Sequence, residues 1–480
     1  MTFDQILAKI DDFVWGVPLI VLILAAGLLL TIRTGFIQVR HLPRALRYLF
    51  KEEVSEEEEI VHGEVSGFAS LCTALSATIG TGNIVGVATA VGILAGGPGA
   101  LFWMWMAAFL GMATKYSEGF LAVKYRTVDE DGHVLGGPFY YIEKGMGVKW
   151  KWLAKIFAFF GACVGLMGIG TFSQVNGIAS AVTGFFDPNM TNTITLFGND
   201  YSIVTVISAF VLAILAGLVI IGGLKRISSV SQVVVPFMAI LYVLTVVVLI
   251  ICNITKLPAA IAEVVTSAFG AKAMAGGALG AVLISMKNGI ARGIFSNESG
   301  LGSAPIAAAA AKTKEPVRQG FVSMTGTFID TIIVCTMTGL AIVMTGAWDM
   351  GLEGVAVTTK AFALGLPFPA KASAFVLMMC LVFFAFTTIL GWAYYSERCL
   401  EYLVNGKKFV ITAFKWFYIL AVFIGPFMTV SAVWTIADIC NGLMAFPNLV
   451  ALLALNGDVV SETRGYLERV GIVKTTVGEA

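Results

Sequence analysis

The chain has only three histidines, His41, His62 and His133, and all three fall in polar stretches between apolar runs. That excludes a histidine-built metal centre and a histidine proton relay within a membrane. Charge is also scarce. Only 13% of the 480 residues are Asp, Glu, Lys or Arg, and the net charge of +1 gives no electrostatic reason to expect a nucleic-acid partner. Seven cysteines are scattered without a CxxC pair, and Cys72, Cys163, Cys252, Cys335 and Cys380 sit inside apolar runs, so buried free thiols are expected rather than disulfides or a metal site. The first residues carry Asp4, Lys9, Asp11 and Asp12 and lack the basic start and small-residue cleavage site of a signal peptide. No cluster of His, Cys or paired carboxylates forms a catalytic constellation, so an enzyme is not expected and no cofactor is implied.

Apolar surface is what the chain has in excess. At 58% hydrophobic residues and a mean hydropathy of +0.87, it holds more than a soluble core can hide, and an integral membrane protein follows. Apolar stretches of about 20 residues predict an all-α protein of eleven transmembrane helices. These run near 14–32, 67–95, 99–124, 153–185, 202–223, 230–252, 275–311, 318–346, 372–403, 409–428 and 430–456. Between the first two, Leu42, Leu46, Leu49 and Phe50 alternate with Arg40, Arg44, Arg47 and Lys51 at helical spacing, which reads as an interfacial amphipathic helix. The glutamate-rich run 52–59 after it reads as a solvated linker.

Two of these spans carry polar interruptions. In Leu71–Gly99 the helix meets Gly80, Thr81, Gly82 and Asn83, with Gly86 close behind and Thr78 just before. Glycine weakens a helix by about 1 kcal/mol relative to alanine, and backbone freed from a helix at membrane depth is tolerated only where protein or a watery cavity receives it. Gly289–Gly302, GIARGIFSNESGLG, repeats the pattern with Ser296, Asn297, Glu298 and Ser299. Paired broken helices in corresponding positions are the sequence mark of a secondary transporter's midplane site; a glycine-rich packing face is the competing explanation.

Lysine and arginine placement sets an orientation. With the amino terminus outside, 24 of the 31 basic residues fall on the inner side and 5 (Lys9, Lys256, Lys272, Lys360, Lys371) outside, with Lys287 and Arg292 within a span. The inner set includes Lys115. The positive-inside rule then predicts a plasma (inner) membrane protein, N-out and C-in. Residues 1–66 form an N-terminal helix, interfacial helix and acidic linker, 67–252 and 275–456 two units of five helices, and 457–480 a cytoplasmic tail. Five is odd, so the units have opposite topology, the layout of an inverted repeat.

The runs ATIGTGNIVGVATAV, GGPGALFWMWMAAFLGMATKYSEG, GGPFYYIEKGMG, RGIFSNESGLGSAPIAAAAAKT and FFAFTTILGWAYYSERCLEYL resemble the alanine or glycine:cation symporter family, from about residue 13 to 463. The resemblance implies a leucine-transporter-type five-plus-five fold with an extra N-terminal helix, importing alanine or glycine with sodium across the lipid bilayer. It implies a substrate site at Thr78, Gly82, Asn83, Gln174, Phe295, Ser296, Asn297, Glu298 and Trp392. It also implies sodium held by Thr387 and Thr388 with backbone carbonyls near Ala77 and Gly80, neutral oxygens of the kind a hard cation favours. Each residue has a structural alternative. Ser296 suits a helix cap, Glu298 can neutralise Arg292 or Lys287, Gln174 beside Thr171 can join packed helices, and threonine hydroxyls back-bond to their own helix. Asp330 and Asp438 are embedded carboxylates for which function and structural pairing are equally open. The rival reading is a proton-coupled carrier of the same fold; a channel or receptor is disfavoured by the lack of a pore-lining ring and of a soluble domain.

Overall fold

The computed structural model describes residues 3–50, 63–93, 95–129, 133–196, 199–270, 278–428 and 431–471. An amphipathic helix, α1 (Phe3–Val14), precedes α2 (Val17–Arg33), which starts with Pro18 in its first turn, where a missing N–H costs nothing. Two short helices, α3 (Ile37–Arg40) and α4 (Leu42–Tyr48), then turn back toward the core. Here the expected apolar face is only partly used: Leu49 is buried, Leu42 and Leu46 are half-buried, and Phe50 is exposed. Lys51 and the acidic run 52–59 lie outside the described residues.

The first broken pair is α5 (Gly67–Thr78) and α6 (Val87–Val91), joined through a wide π-type turn at Gly82–Gly86 and bent by 54°. Next come α7 (Gly99–Lys124), the hairpin β1 (Thr127–Val128) with β2 (Val134–Leu135), and α8 (Pro138–Tyr140). α9 (Lys151–Met167) and α10 (Phe172–Phe186) are two parts of one span interrupted at Gly168–Thr171. A second hairpin, β3 (Thr193–Leu196) with β4 (Asn199–Ser202), leads to α11 (Ile203–Ile220), α12 (Gly223–Cys252) and α13 (Leu257–Ala268). The two hairpins are the departures from an all-helical chain, and both lie in connections between spans.

The second half opens with α14 (Ala278–Asn297) and, beyond its break, α15 (Ala304–Ala308). The helix persists past Gly289 and Gly293, so the interruption begins later than the glycines suggest. Gly289 instead lets α7 pack close, since a Cβ there would stand 2.3 Å from the Ala100 carbonyl oxygen. The remaining helices are α16 (Pro316–Thr327), a wide π-type segment Phe328–Cys335, α17 (Thr336–Thr345), α18 (Val355–Gly365), α19 (Ala370–Val404), α20 (Lys408–Ile424), α21 (Ser431–Ala454) and α22 (Asn456–Arg469).

Among the described residues, eight helices are long and apolar enough to cross a membrane, or nine with the bent pair counted as one. α7 and α14 are long but outside that count. Lys115 corrects the charge reading: it is buried inside α7 at 3% exposure and does not belong to an inner loop, which leaves 23 basic residues on that side.

At the basic end, α22 lies across several helices. Lys124 pairs with Asp458 at 3.0 Å and Glu462 at 2.6 Å, Arg469 reaches Glu315 at 3.1 Å, and Tyr116 bonds Thr463 at 2.7 Å.

Candidate functional site

The first break leaves backbone groups that a continuous helix would have paired, and side chains take them up. Asn83 Oδ1 accepts from Gly80 N at 2.9 Å, Gln174 Oε1 accepts from Thr81 N at 3.1 Å, and Thr388 Oγ1 donates to the Ile79 carbonyl at 3.2 Å. The first bond closes the break on itself, and the other two pin it to α10 and α19. Gly80 has no room for a side chain, because a Cβ would stand 2.5 Å from Thr388 Oγ1 and 3.1 Å from Gln174 Oε1.

Asn83 also reaches the second half. Its Nδ2 donates to Asp330 Oδ1 at 2.7 Å, and Thr338 Oγ1 donates to its carbonyl at 2.8 Å, a group the wide turn leaves open. Asp330 Oδ2 accepts from Ser296 Oγ at 2.8 Å and from Thr331 Oγ1 at 2.7 Å. One buried carboxylate therefore ties Asn83 of the first break to Ser296 at the edge of the second. Such a fully bonded network is rigid, and each member lost strands the others.

The second break starts at Glu298, whose φ of 56° puts a non-glycine residue in the left-handed region, followed by Gly300 (φ 89°) and Gly302 (φ 82°). Strain of that kind persists where the surroundings enforce it. They do so here: Glu298 Oε1 accepts from Trp392 Nε1 at 2.9 Å, Oε2 accepts from the Ser303 hydroxyl, and Asn297 Nδ2 donates to Thr331 Oγ1 at 3.0 Å. From α7, Glu118 Oε1 accepts from Gly300 N at 3.1 Å and from Asn448 Nδ2 at 2.7 Å.

Neither basic residue weighed as a counter-ion for Glu298 fills that role. Lys287 pairs with Asp12 at 3.5 Å, and the Arg292 guanidinium lies 5.6 Å over the Phe295 ring. The lysine buried nearest to Glu298, Glu118 and Asp330 in charge terms is Lys115, whose Nζ has no hydrogen-bond partner among the described residues. It borders a small hollow of about 20 Å³ between Ser70, Thr78, Asn297 and Gln319, room for about one water.

Beside the first break lies a larger cavity of about 430 Å³. Gly82, Gly86 and Phe295 form one wall, Ile169, Ser173 and Asn176 another, and Arg292 with Asp438 a polar margin. Gly82 and Phe295 meet closely, for a Cβ on Gly82 would sit 3.3 Å from the ring.

The expected site residues thus separate by place. Gly82 and Phe295 line the cavity; Asn83, Ser296 and Asn297 form the network behind it; Gln174 and Thr388 brace the first break. Thr78 faces the small hollow with its hydroxyl turned to the Ala74 and Leu75 carbonyls, at 3.3 and 3.4 Å. Trp392 is fully buried and holds Glu298 without lining the cavity. Ala77 lies against α19, where a Cβ on Gly391 would meet its Cβ at 2.7 Å. Thr387 turns its hydroxyl to the Phe383 and Phe384 carbonyls and Met238 Sδ, away from the break. Thr171 Oγ1 likewise bonds the Leu166 carbonyl at 2.8 Å.

Sequence reasoning missed Lys115, Glu118 and Asn448. A signal existed for the first two, since opposite charges three apart inside an apolar helix share one face. Asn448 carries no such mark.

A helical membrane protein with broken helices converging beside a cavity, their freed backbone bound by polar side chains, belongs to the class of secondary transporters. A sequence model of the Sodium:alanine symporter family matches residues 1–477, and the chain belongs to that family, which is one of amino-acid transporters and not of enzymes. It is 45% identical over 475 residues to the Sodium/alanine symporter AgcS of Methanococcus maripaludis, covering 98% of both chains. It is 54% identical over 474 residues to an uncharacterized transporter of Haemophilus influenzae, again 98% of both. A Bacillus subtilis relative named "Probable sodium/glutamine symporter GlnT" is 35% identical over 465 residues, 96% of this chain and 90% of its own.

Proposed function

We propose that this chain is a sodium-coupled symporter that imports alanine and glycine by alternating access. Its fold would be the eleven-helix, five-plus-five inverted repeat, with the amino terminus outside and the carboxyl terminus cytoplasmic. In that orientation the 430 Å³ cavity, lined from Thr81 to Thr89, would lie on the outer side of the first break.

The observation that carries the reading is the pinned first break. With Gly80 N and Thr81 N held by Asn83 and Gln174, the remaining first-turn N–H groups of the wide turn at Gly82–Gly86 would meet a substrate carboxylate beside the cavity, where Phe295 limits the space. Thr388 Oγ1 lies against the Ile79–Gly80 backbone, where a sodium ion would gather that hydroxyl with carbonyls near Ala77 and Gly80. The names of the relatives, sodium with alanine in one and sodium with glutamine in another, support sodium as the ion.

A proton as driver is the second reading. Asp438 supports it, being the carboxylate of the three candidates that lines the cavity. Uptake of labelled alanine and glycine into proteoliposomes, with sodium and pH gradients imposed separately, tests both. Accumulation that follows the sodium gradient supports symport with sodium, and accumulation that follows only the pH gradient supports the second reading.

A further inference from the structure

Five consecutive alanines, 307–311, follow the second break, and alanine is the strongest helix former. Yet α15 stops at Ala308, and the amides of Ala310 and Ala311 turn back only three residues, to the Ala307 and Ala308 carbonyls at 3.1 and 3.2 Å. Local preference and observed backbone disagree here, so contacts from elsewhere in the chain end the helix. The contacts compete for its carbonyls. Arg126, between α7 and β1, donates from Nη1 to the Ala309 and Ala311 carbonyls at 2.8 and 2.7 Å and from Nη2 to that of Thr313 at 2.6 Å. On the other side the Ala310 carbonyl accepts from Glu64 N at 2.9 Å and Val65 N at 3.2 Å, and Lys312 N donates to the Val65 carbonyl at 2.8 Å, which makes a parallel bridge of Val65 with Ala311. Carbonyls two residues apart can face one side only where the chain is extended.

The bridge joins the two broken helices at the ends away from their breaks. Residues 63–66 lead straight into α5 and residues 309–313 straight out of α15. The backbones meet too closely for a side chain at Gly63, where a Cβ would stand 2.4 Å from Lys312 Cα. Glu64, its side chain 8% exposed, is held from β2, with Oε1 accepting from Val134 N at 3.0 Å, and Ser70 Oγ donates to the Ala307 carbonyl at 2.9 Å. Val65 and the whole alanine run are buried. We infer that this bridge seals the transport path at the basic end and that Arg126 is its positioning residue, holding 309–313 extended so that Val65 can pair with it.

A guanidinium suits the task because its planar fork of donors reaches three carbonyls at once, which the compact ammonium of lysine does not. Releasing those carbonyls lets the alanine run return to its local preference, helix, and unpairs Val65. The hollow bordered by Ser70, Ala304 and Lys115 lies just inside the bridge, so unpairing opens a way to it. The role as a seal rests on the transport reading, whereas the pairing held by Arg126 stands without it.

Two measurements on the full chain test it. Ser70→Cys places a thiol behind the bridge, where Ser70 is 1% exposed. A membrane-impermeant maleimide added to either face of sealed vesicles should label it slowly, and Arg126→Ala or Arg126→Lys should speed labelling from the basic face about tenfold. Sodium-dependent alanine binding should stay near the parent's in both arginine variants while accumulation falls. Unchanged labelling in Arg126→Ala overturns the positioning role, and a lysine variant that protects as well as arginine overturns the fork. Binding lost along with accumulation also overturns it, because a merely structural residue would do that. The second measurement compares one folded sample with itself: in Val65→Cys with Ala311→Cys, uptake should cease when mild oxidation links the two thiols and return on reduction. Uptake that survives complete cross-linking overturns the seal. Alanine uptake by the parent is scored separately; its absence fails the transport reading, while maleimide labelling still reports on the bridge and Arg126.

Discussion

Asn83 and Asp330 meet at 2.7 Å across the two halves of the chain, the amide of the first broken helix against a carboxylate on the wide segment Phe328–Cys335. The amide's own oxygen holds Gly80 N at 2.9 Å, so one side chain both shapes the break and fastens it to the opposite half. Asp330→Ala should therefore remove the carboxylate acceptor of three buried donors, stranding Thr331 Oγ1 at about 1–3 kcal/mol and leaving Asn83 with the Asp330 carbonyl at 3.3 Å and Ser296 with the Cys335 sulfur at 3.2 Å. A thermal unfolding series in detergent should show a clearly lower transition than for Asp330→Asn, which keeps an acceptor. Equal stability of the two variants would remove the network from the account.

The two adjacent threonines should behave differently, because only Thr388 turns its hydroxyl toward the break. Thr388→Ala should raise the sodium concentration needed for half-maximal alanine uptake about tenfold, the equivalent of ~1.4 kcal/mol. Thr387→Ala should change it little. The opposite ranking in a sodium titration would place the ion elsewhere.

Glycine positions at the break give a graded test. Gly80→Ala puts a Cβ 2.5 Å from Thr388 Oγ1 and should abolish uptake, whereas Gly82→Ala meets the Phe295 ring edge at 3.3 Å and should only weaken it. Gly82→Val should abolish uptake altogether. Phe295→Ala should admit larger neutral amino acids, read as stronger competition by valine and leucine against labelled alanine. Trp392→Phe should leave that competitor profile unaltered while lowering the rate, since Trp392 positions Glu298 and does not line the cavity. A widened profile in Trp392→Phe would contradict this division.

How much of this was legible in the chain depended on whether a residue's role was local. Glycine runs, hydroxyls and an asparagine interrupting an apolar span mark a break because helix propensity is a local property, and Gly80–Asn83 were read correctly as one. The second interruption reads as the whole stretch Gly289–Gly302, and only its part from Glu298 leaves the helix, because Gly289, which relieves packing against α7, looks identical in sequence to a glycine that ends a helix. Lys115 lies within the expected span 99–124 yet counts with the inner basic residues, because a sequence does not show that Ser70, Asn297 and Gln319 from three other elements gather with it around one buried hollow. The direction of Thr387 against Thr388 and the burial of Trp392 are likewise fixed by rotation of α19, which composition does not set.

At the basic end, Asp458 bears on pH. The hydroxyl of Tyr125 and then the ammonium of Lys124 hold its carboxyl below the ordinary 3.8. A depressed folded value means the stabilisation is present above pH 3.8 and fades only as the pH falls below it. Protease accessibility of α22 should thus be flat from pH 8 to 5 in the parent. Asp458→Asn should increase it at every pH in that range, modestly, since the pair is largely solvated. A parent whose α22 loosens between pH 7 and 5 would show that another group controls it.

The most direct test of the central claim is alanine accumulation in proteoliposomes holding equal pH on both sides and a sodium gradient alone, with potassium in place of sodium as the control. The account predicts concentrative uptake with sodium, abolished by Gly80→Ala and shifted to higher sodium by Thr388→Ala. Accumulation that is unchanged when potassium replaces sodium would contradict it.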